Sequence, residues 1–168
     1  MVAEGAGYGR LLGSLFGWAL FACVAAGCAN FSAIQPGDPV QSVTDRVGEP
    51  TTVWKNDDGS EIWQYPQGHY ATQTFIVLVG SDERVVEVYQ ALSAPYFARV
   101  QRGMSREDVQ RLLGPPREVR NFSSRDEEHW SWRYLDITYM HFNVIFDRVQ
   151  DRVKSVQRVQ EVPPRSRR

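Results

Sequence analysis

The sequence predicts an α+β protein of two tandem repeats, each with a short helical layer packed on an antiparallel sheet of three to four strands. Two observations predict this fold class. Residues 31–50 match residues 97–116 at a constant offset of 66 positions. In both halves a helix pattern is then followed by several strand patterns, the order that places a helical layer on one face of an antiparallel meander.

The internal repeat is carried by identical residues that are spaced alike in both halves. Beyond the first twenty positions, a W-Q-Y strand in one half corresponds to a W-S-W strand in the other, and an apolar strand beginning with Phe follows each. Because the same features recur in the same order, duplication explains them better than chance. The identical pairs are Phe31/Phe97, Gln35/Gln101, Gly37/Gly103, Val43/Val109, Gly48/Gly114 and Pro50/Pro116.

The helix of the second half has the clearer boundaries. Ser105 is a favoured N-cap, and Asp108 three residues later completes a capping box. Gly114 can adopt the positive φ that ends a helix, and the two prolines after it prevent continuation. In the first half we expect Asp38 to cap the helix and Pro39 to take the first helical position.

Strand patterns fill the remainder of each half. The turn sequence Asn-Asp-Asp-Gly at 56–59 predicts a hairpin between the first two strands. Runs of apolar and β-branched residues bounded by turn residues predict the others. The eight predicted strands cover residues 51–55, 61–65, 72–79, 84–90, 118–122, 128–134, 137–146 and 152–160.

The N-terminal segment has the pattern of a bacterial lipoprotein signal. An uncharged stretch from Leu11 to Ala26 follows Arg10 and is shorter than the about 20 residues of a membrane-spanning helix. It ends in A-A-G-C at Cys28, which resembles a lipobox, where the thiol is acylated before cleavage. Cys23 is a poorer alternative because bulky Phe21 lies beside that cut. A plain secretory signal or an uncleaved anchor is the other interpretation.

These patterns divide the chain into a leader, a tether, two repeats and a tail. We expect lipid on Cys28 to anchor the protein to a membrane, and Ala29 favours the outer membrane of a Gram-negative bacterium, on its periplasmic face. The expected segments are signal peptide 1–27, lipidated tether 28–36, first repeat 37–90, linker 91–96, second repeat 97–162 and basic tail 163–168.

Composition and motifs argue against an enzyme. A net charge of -1 disfavours a general polyanion binder, so no nucleic-acid partner is expected. Both cysteines lie in the first thirty residues, which leaves the mature chain without a disulfide or a thiolate metal site. The three histidines, His69, His129 and His141, are scattered, and the acidic run 126–128 is typical of a charged hairpin loop. We therefore expect no cofactor and no metal.

Aromatic residues alternate along two predicted strands, so they share one face of each sheet. One interpretation is a core face that the helices cover. The other is an exposed patch that binds protein or glycan, with His129, Ser131, Arg133 and Leu135 on the opposite face. The residues of this candidate binding face are Trp63, Tyr65, Trp130, Trp132 and Tyr134.

Charge is divided unevenly between the two halves. Residues 28–92 carry three basic and nine acidic groups, a net charge of -6, whereas residues 93–168 carry fifteen basic and ten acidic groups, a net charge of +5. Three interpretations of this difference are open. It reflects neutral sequence drift on two solvated surfaces, electrostatic attraction between the repeats, or a basic repeat that faces anionic lipid headgroups.

The stretch G-M-S-x-x-x-V-x-x-L-L-G-x-P from Gly103 to Pro116, followed by W-S-W-R-Y and a final strand, resembles the BamE family, also called SmpA/OmlA. The resemblance covers residues 97–160 and, more weakly, 31–90. It implies helices on an antiparallel sheet, similar to the fold of beta-lactamase inhibitor proteins. Known members carry one such domain, whereas this chain carries two, and no binding residue of the family aligns with a residue here.

The expected function is that of an outer-membrane lipoprotein that acts as a non-catalytic binding or scaffold module with an envelope protein partner. The resemblance implies assistance in outer-membrane β-barrel assembly, by contact with the assembly machinery, or a role in envelope integrity. The alternative is a periplasmic protein inhibitor or ligand-binding lipoprotein that uses the aromatic sheet face.

Overall fold

The computed structural model describes residues 30–68 and 72–162. Its strands form two four-stranded antiparallel meanders, β1-β2-β3-β4 and β5-β6-β7-β8. The first sheet consists of β1 Thr52–Lys55, β2 Glu61–Pro66, β3 Thr74–Val79 and β4 Val85–Gln90. The second consists of β5 Glu118–Phe122, β6 Glu127–Leu135, β7 Tyr139–Asp147 and β8 Arg152–Gln160. The α-helices are α1 Val40–Val47, α2 Ala94–Phe97 and α3 Arg106–Leu113, with 3-10 helices at Phe31–Ala33 and Ser123–Arg125.

The two repeats share backbone details, which confirms the predicted tandem α+β fold. Gly37 and Gly103 both have a φ of +91°. The amide of Gly37 donates to the carbonyl of Val85 at 2.7 Å, and the amide of Gly103 donates to that of Val153 at 2.9 Å. Each sheet also has one register shift, after Leu78 in the first and after Ile145 in the second.

The helix caps were predicted correctly in one repeat and wrongly in the other. Ser105 and Asp108 form the expected capping box of α3, with the amide of Asp108 donating to Ser105 Oγ at 3.1 Å. The expected cap of α1 is wrong, since Pro39 is the N-cap residue. Asp38 Oδ2 instead accepts hydrogen bonds from Arg46 at 2.9 Å and from the amide of Gln35 at 3.1 Å, while the amide of Val40 at the start of the helix donates to the carbonyl of Glu83 at 3.0 Å.

The tether and the linker are more structured than expected. Phe31 and Ile34 are buried in the first core, and the Phe31 ring stacks on Phe75 with centroids 4.2 Å apart. The first repeat therefore begins near Phe31 rather than at residue 37. In the linker, α2 places Phe97 in the second core, and Pro95 is compatible with it because proline is tolerated in the first turn of a helix. Cys28, His69 and the tail 163–168 lie outside the described residues.

The predicted aromatic binding face is not exposed. Trp130, Trp132 and Tyr134 are buried under α2 and α3, and Trp132, 1% exposed, donates from Nε1 to the carbonyl of Gly114 at 3.2 Å. Tyr65 is buried and Trp63 half-buried in the core beneath α1. The interpretation as a binding patch is wrong because the helices need these large apolar surfaces for burial.

The repeats stack so that α3 lies between the two sheets. Its Val109 and Leu113 are buried in the core of the second sheet. From the first sheet, the fully buried Gln64 donates from Nε2 to the last carbonyls of α3, those of Gln110 at 2.7 Å and Arg111 at 3.2 Å. The layer order is therefore α1, first sheet, α3, second sheet.

Candidate functional site

The outer face of the second sheet ends the stack. The first sheet is covered on both faces, and Thr74 and Ile76 are buried on the side that meets α3. In the described part of the chain, the second sheet is covered by α3 on one side only. On its other side, Leu135 and Val159 are 57% and 47% exposed. We call this outer side of the second sheet the polar face, and it holds a hollow of about 220 Å³. The hollow is lined by Glu118, Arg120, Phe122, His129, Ser131, His141, Asn143 and Val159.

The internal repeat shows how the polar face differs from its buried counterpart. Strand registers fix the equivalence, since Thr52 pairs with Gln64 as Glu118 pairs with Ser131. Apolar or neutral positions of the first sheet correspond to guanidinium, imidazole, hydroxyl or amide positions in the second. The equivalent pairs are Trp54 and Arg120, Ile62 and His129, Gln64 and Ser131, Thr74 and His141, and Ile76 and Asn143. A face with these groups is suited to a polar partner rather than to an apolar helix.

Glu127 is the electrostatic centre of one end of the polar face. Lys154 Nζ donates to Glu127 Oε1 at 2.8 Å, and His129 Nε2 lies 3.1 Å from Glu127 Oε2. The hydrogen bond from Lys154, followed by that from His129, lowers the pKa of Glu127 to about 2. The carboxylate therefore stays charged throughout the physiological range.

A second polar cluster lies at the other end of the face, around Glu161. Arg133 Nε donates to Glu161 Oε2 at 2.6 Å, and its guanidinium lies 3.6 Å from the centroid of the Tyr139 ring. The hydrogen bond from Arg133 lowers the pKa of Glu161, with smaller contributions from His141 and Arg117. Glu161 thus lies among basic groups at this end, where Glu118 is a second carboxylate.

Ser131, His141 and Glu161 follow one another like the members of a hydrolase triad, but their geometry is not that of one. Ser131 Oγ lies 3.2 Å from His141 Nδ1, whereas His141 Nε2 lies 3.7 Å from Glu161 Oε2, too far for a hydrogen bond. That oxygen is already held by Arg133. These three side chains therefore do not form a continuous hydrogen-bonded triad.

The structure brings together residues that the sequence did not connect. His129 and His141 share the polar face, but they contact different partners, Glu127 and Ser131. Among residues 30–68 and 72–162, no group of three His, Cys, Asp or Glu side chains could hold a metal ion. Alternation along β6 already placed His129 and Ser131 opposite the aromatic residues. The register of β7 and β8, which the sequence does not show, adds His141, Asn143 and Val159 to the same face.

Comparisons with known proteins give distant structural likenesses. No protein-family model matches the chain, and no curated protein does. An extracellular protein with an SCP domain from Bacillus anthracis is 14% identical with a TM-score of 0.30; the match covers 96% of this chain, which spans 50% of the length of that one. A DUF4309 family protein from Bacillus subtilis is 16% identical with a TM-score of 0.30, over 72% of this chain and 77% of that one. A beta-lactamase inhibitor-like protein from Streptococcus mutans is 11% identical with a TM-score of 0.31, over 79% and 87%.

The described helices are all short. Within the two ranges that the structure describes, none is long and apolar enough to cross a membrane.

Proposed function

We propose that this chain is an outer-membrane lipoprotein, anchored through Cys28, that acts as a non-catalytic binding or scaffold module. Its binding surface is the polar face of the second sheet. The observation that carries the proposal is the internal comparison: Gln64, Thr74 and Ile76 are buried between the repeats, whereas the equivalent polar residues of the second sheet are only half-buried.

The first described residues would hold the fold close to an anchor at Cys28. Phe31 is already buried in the first core, three residues after the cysteine. An extended chain spans at most about 3.3–3.6 Å per residue, so Phe31 lies within about 11 Å of the acylated residue. A protein held this close to a bilayer presents a fixed set of surfaces to other envelope proteins, as a scaffold requires.

The resemblance to the BamE family suggests the process that the module serves. We extend the proposal to assistance in β-barrel assembly or in envelope integrity, in which the partner is another envelope protein. The alternative, an inhibitor or ligand binder that uses the aromatic residues, finds no support, because those rings are in the two cores.

Site-specific photocrosslinking in the bacterial envelope tests the binding surface. A benzophenone amino acid replaces Val159 on the polar face and, in a matched control, Val86 on β4 of the first sheet; the two valines are 47% and 58% exposed. We expect a protein adduct from position 159 and none from position 86. Equal adducts at both positions, or no adduct at 159, would contradict the proposed surface.

A further inference from the structure

The proposed binding face has a specific occupant. We infer that α1 of a second copy of this chain docks on the polar face, so that copies stack head to tail as the two repeats stack within one copy. The inference rests on the proposed function, since it names the partner of the same face.

The interface between the repeats is the template for this contact. Arg111 on α3 lies over the Trp54 ring, with Cζ 4.8 Å from the centroid, and its Nη1 donates to Asn56 Oδ1 at 2.8 Å. At the end of α3 the backbone approaches the first sheet so closely that a Cβ on Gly114 would lie 2.7 Å from Thr74 Cγ2.

Among the described residues, no sheet covers the outer side of α1, which corresponds to the side of α3 that meets the first sheet. Gly48 ends α1 as Gly114 ends α3, with φ values of +83° and +80°, yet a Cβ on Gly48 would meet nothing within 4 Å among the described residues. Asp45 and Glu49, which are equivalent to Arg111 and Pro115, are exposed. In the part of the chain that the structure describes, the outer side of α1 and the polar face are therefore the two uncovered ends of one stack.

Charges at the two ends match when the internal interface is repeated between copies. Asp45 occupies the position of Arg111 and would lie over Arg120, the equivalent of Trp54. Where Arg111 meets an indole within one copy, an aspartate would thus meet between copies a guanidinium that Glu118 already contacts at 2.6 Å. Opposite charges across a contact fix its register and exclude the wrong partner.

Glu49, which follows the C-cap residue Gly48 of α1, also has a basic counterpart. Within one copy, Pro115 shares a cleft with Thr51, Pro66 and Thr74. The corresponding positions of the second repeat are Arg117, Arg133 and His141, and they would surround Glu49 of the second copy. The net charges of the two halves, -6 and +5, have the signs that this contact requires.

Sedimentation equilibrium of the full chain in density-matched nonionic detergent tests the inference. Because the contact is heterologous, the mean mass should rise with concentration beyond a dimer, and it should fall at high salt. Asp45→Arg or Arg120→Asp alone should weaken association by roughly ten-fold or more, since each creates a like-charge contact. Asp57→Arg, the same charge change in the β1–β2 turn, should have no effect.

Mixing the two charge-reversed chains tests directly whether Asp45 and Arg120 meet between copies. A mixture of the Asp45→Arg and Arg120→Asp chains, each defective alone, should associate again, because the arginine introduced into one chain then meets the aspartate introduced into the other. A monomeric wild-type chain at every concentration, or a mixture that stays dissociated, would overturn the inference. A Val159 adduct with a different protein would overturn it too while sparing the proposed function, whereas no adduct would defeat both.

Discussion

Gly114→Val is expected to lower the free energy of unfolding by roughly 2–6 kcal/mol, more than the same change at Gly48. Two costs add. Valine at a φ of +80° strains the backbone by about 1–3 kcal/mol. Its side chain must also displace Thr74, whose Cγ2 lies 2.7 Å from the Cβ position, and such overpacking costs about 1–3 kcal/mol.

Gly48→Val is the matched control because it isolates the backbone cost. Gly48 has nearly the same φ, +83°, but open space at the Cβ position, so a loss of only about 1–3 kcal/mol is expected. Chemical denaturation followed by tryptophan fluorescence measures both variants. A Thr74→Ala background should reduce the excess loss at Gly114. Equal losses of unfolding free energy for the two variants would show that Gly114 does not pack closely against Thr74 of the first sheet.

Trp132→Ala is expected to lower the free energy of unfolding by about 3–5 kcal/mol, the usual cost of removing a large buried aromatic ring. Trp132 is 1% exposed, and its indole N–H also donates a hydrogen bond to the carbonyl of Gly114 at the end of α3. Leu135→Ala, three residues later on the same strand but 57% exposed, should change the free energy by no more than about 0.5 kcal/mol. Denaturation of both variants provides the comparison.

The outcome also decides between the two interpretations of the aromatic strand. If the Trp132→Ala chain kept its full stability but no longer bound its partner, the aromatic residues would belong to the binding surface. A large loss of stability would confirm that these rings hold the helices on the second sheet.

Local rules made much of the fold predictable. The capping box of α3 needs only Ser105 and Asp108, which are neighbours in sequence, and the structure has it. The hairpin turn ending at Gly59 and the eight strands depend on short patterns of the same kind, and the strand ends differ from the prediction by one or two residues at most. The cap of α1 was missed because Arg46, eight residues beyond Asp38, competes for its carboxylate.

Long-range packing made the remainder unpredictable. Phe31 and Ile34 looked like part of a tether because no local pattern shows that they fill a core formed by strands more than thirty residues away. The repeat predicted two similar units. It did not predict that α3 would lie between the two sheets, so that the outer face of the second sheet has no described helix on it. His141 and Glu161 come together through the register of β6, β7 and β8, which alternation alone does not fix.

The proposed function depends most on attachment of the folded repeats to a bilayer. Mass spectrometry of the mature protein, extracted from the envelope that makes it, tests this directly. The account predicts an N-terminal peptide that begins at Cys28 and carries the added mass of acyl chains. A peptide that begins elsewhere, with its sulfur unmodified, would contradict it.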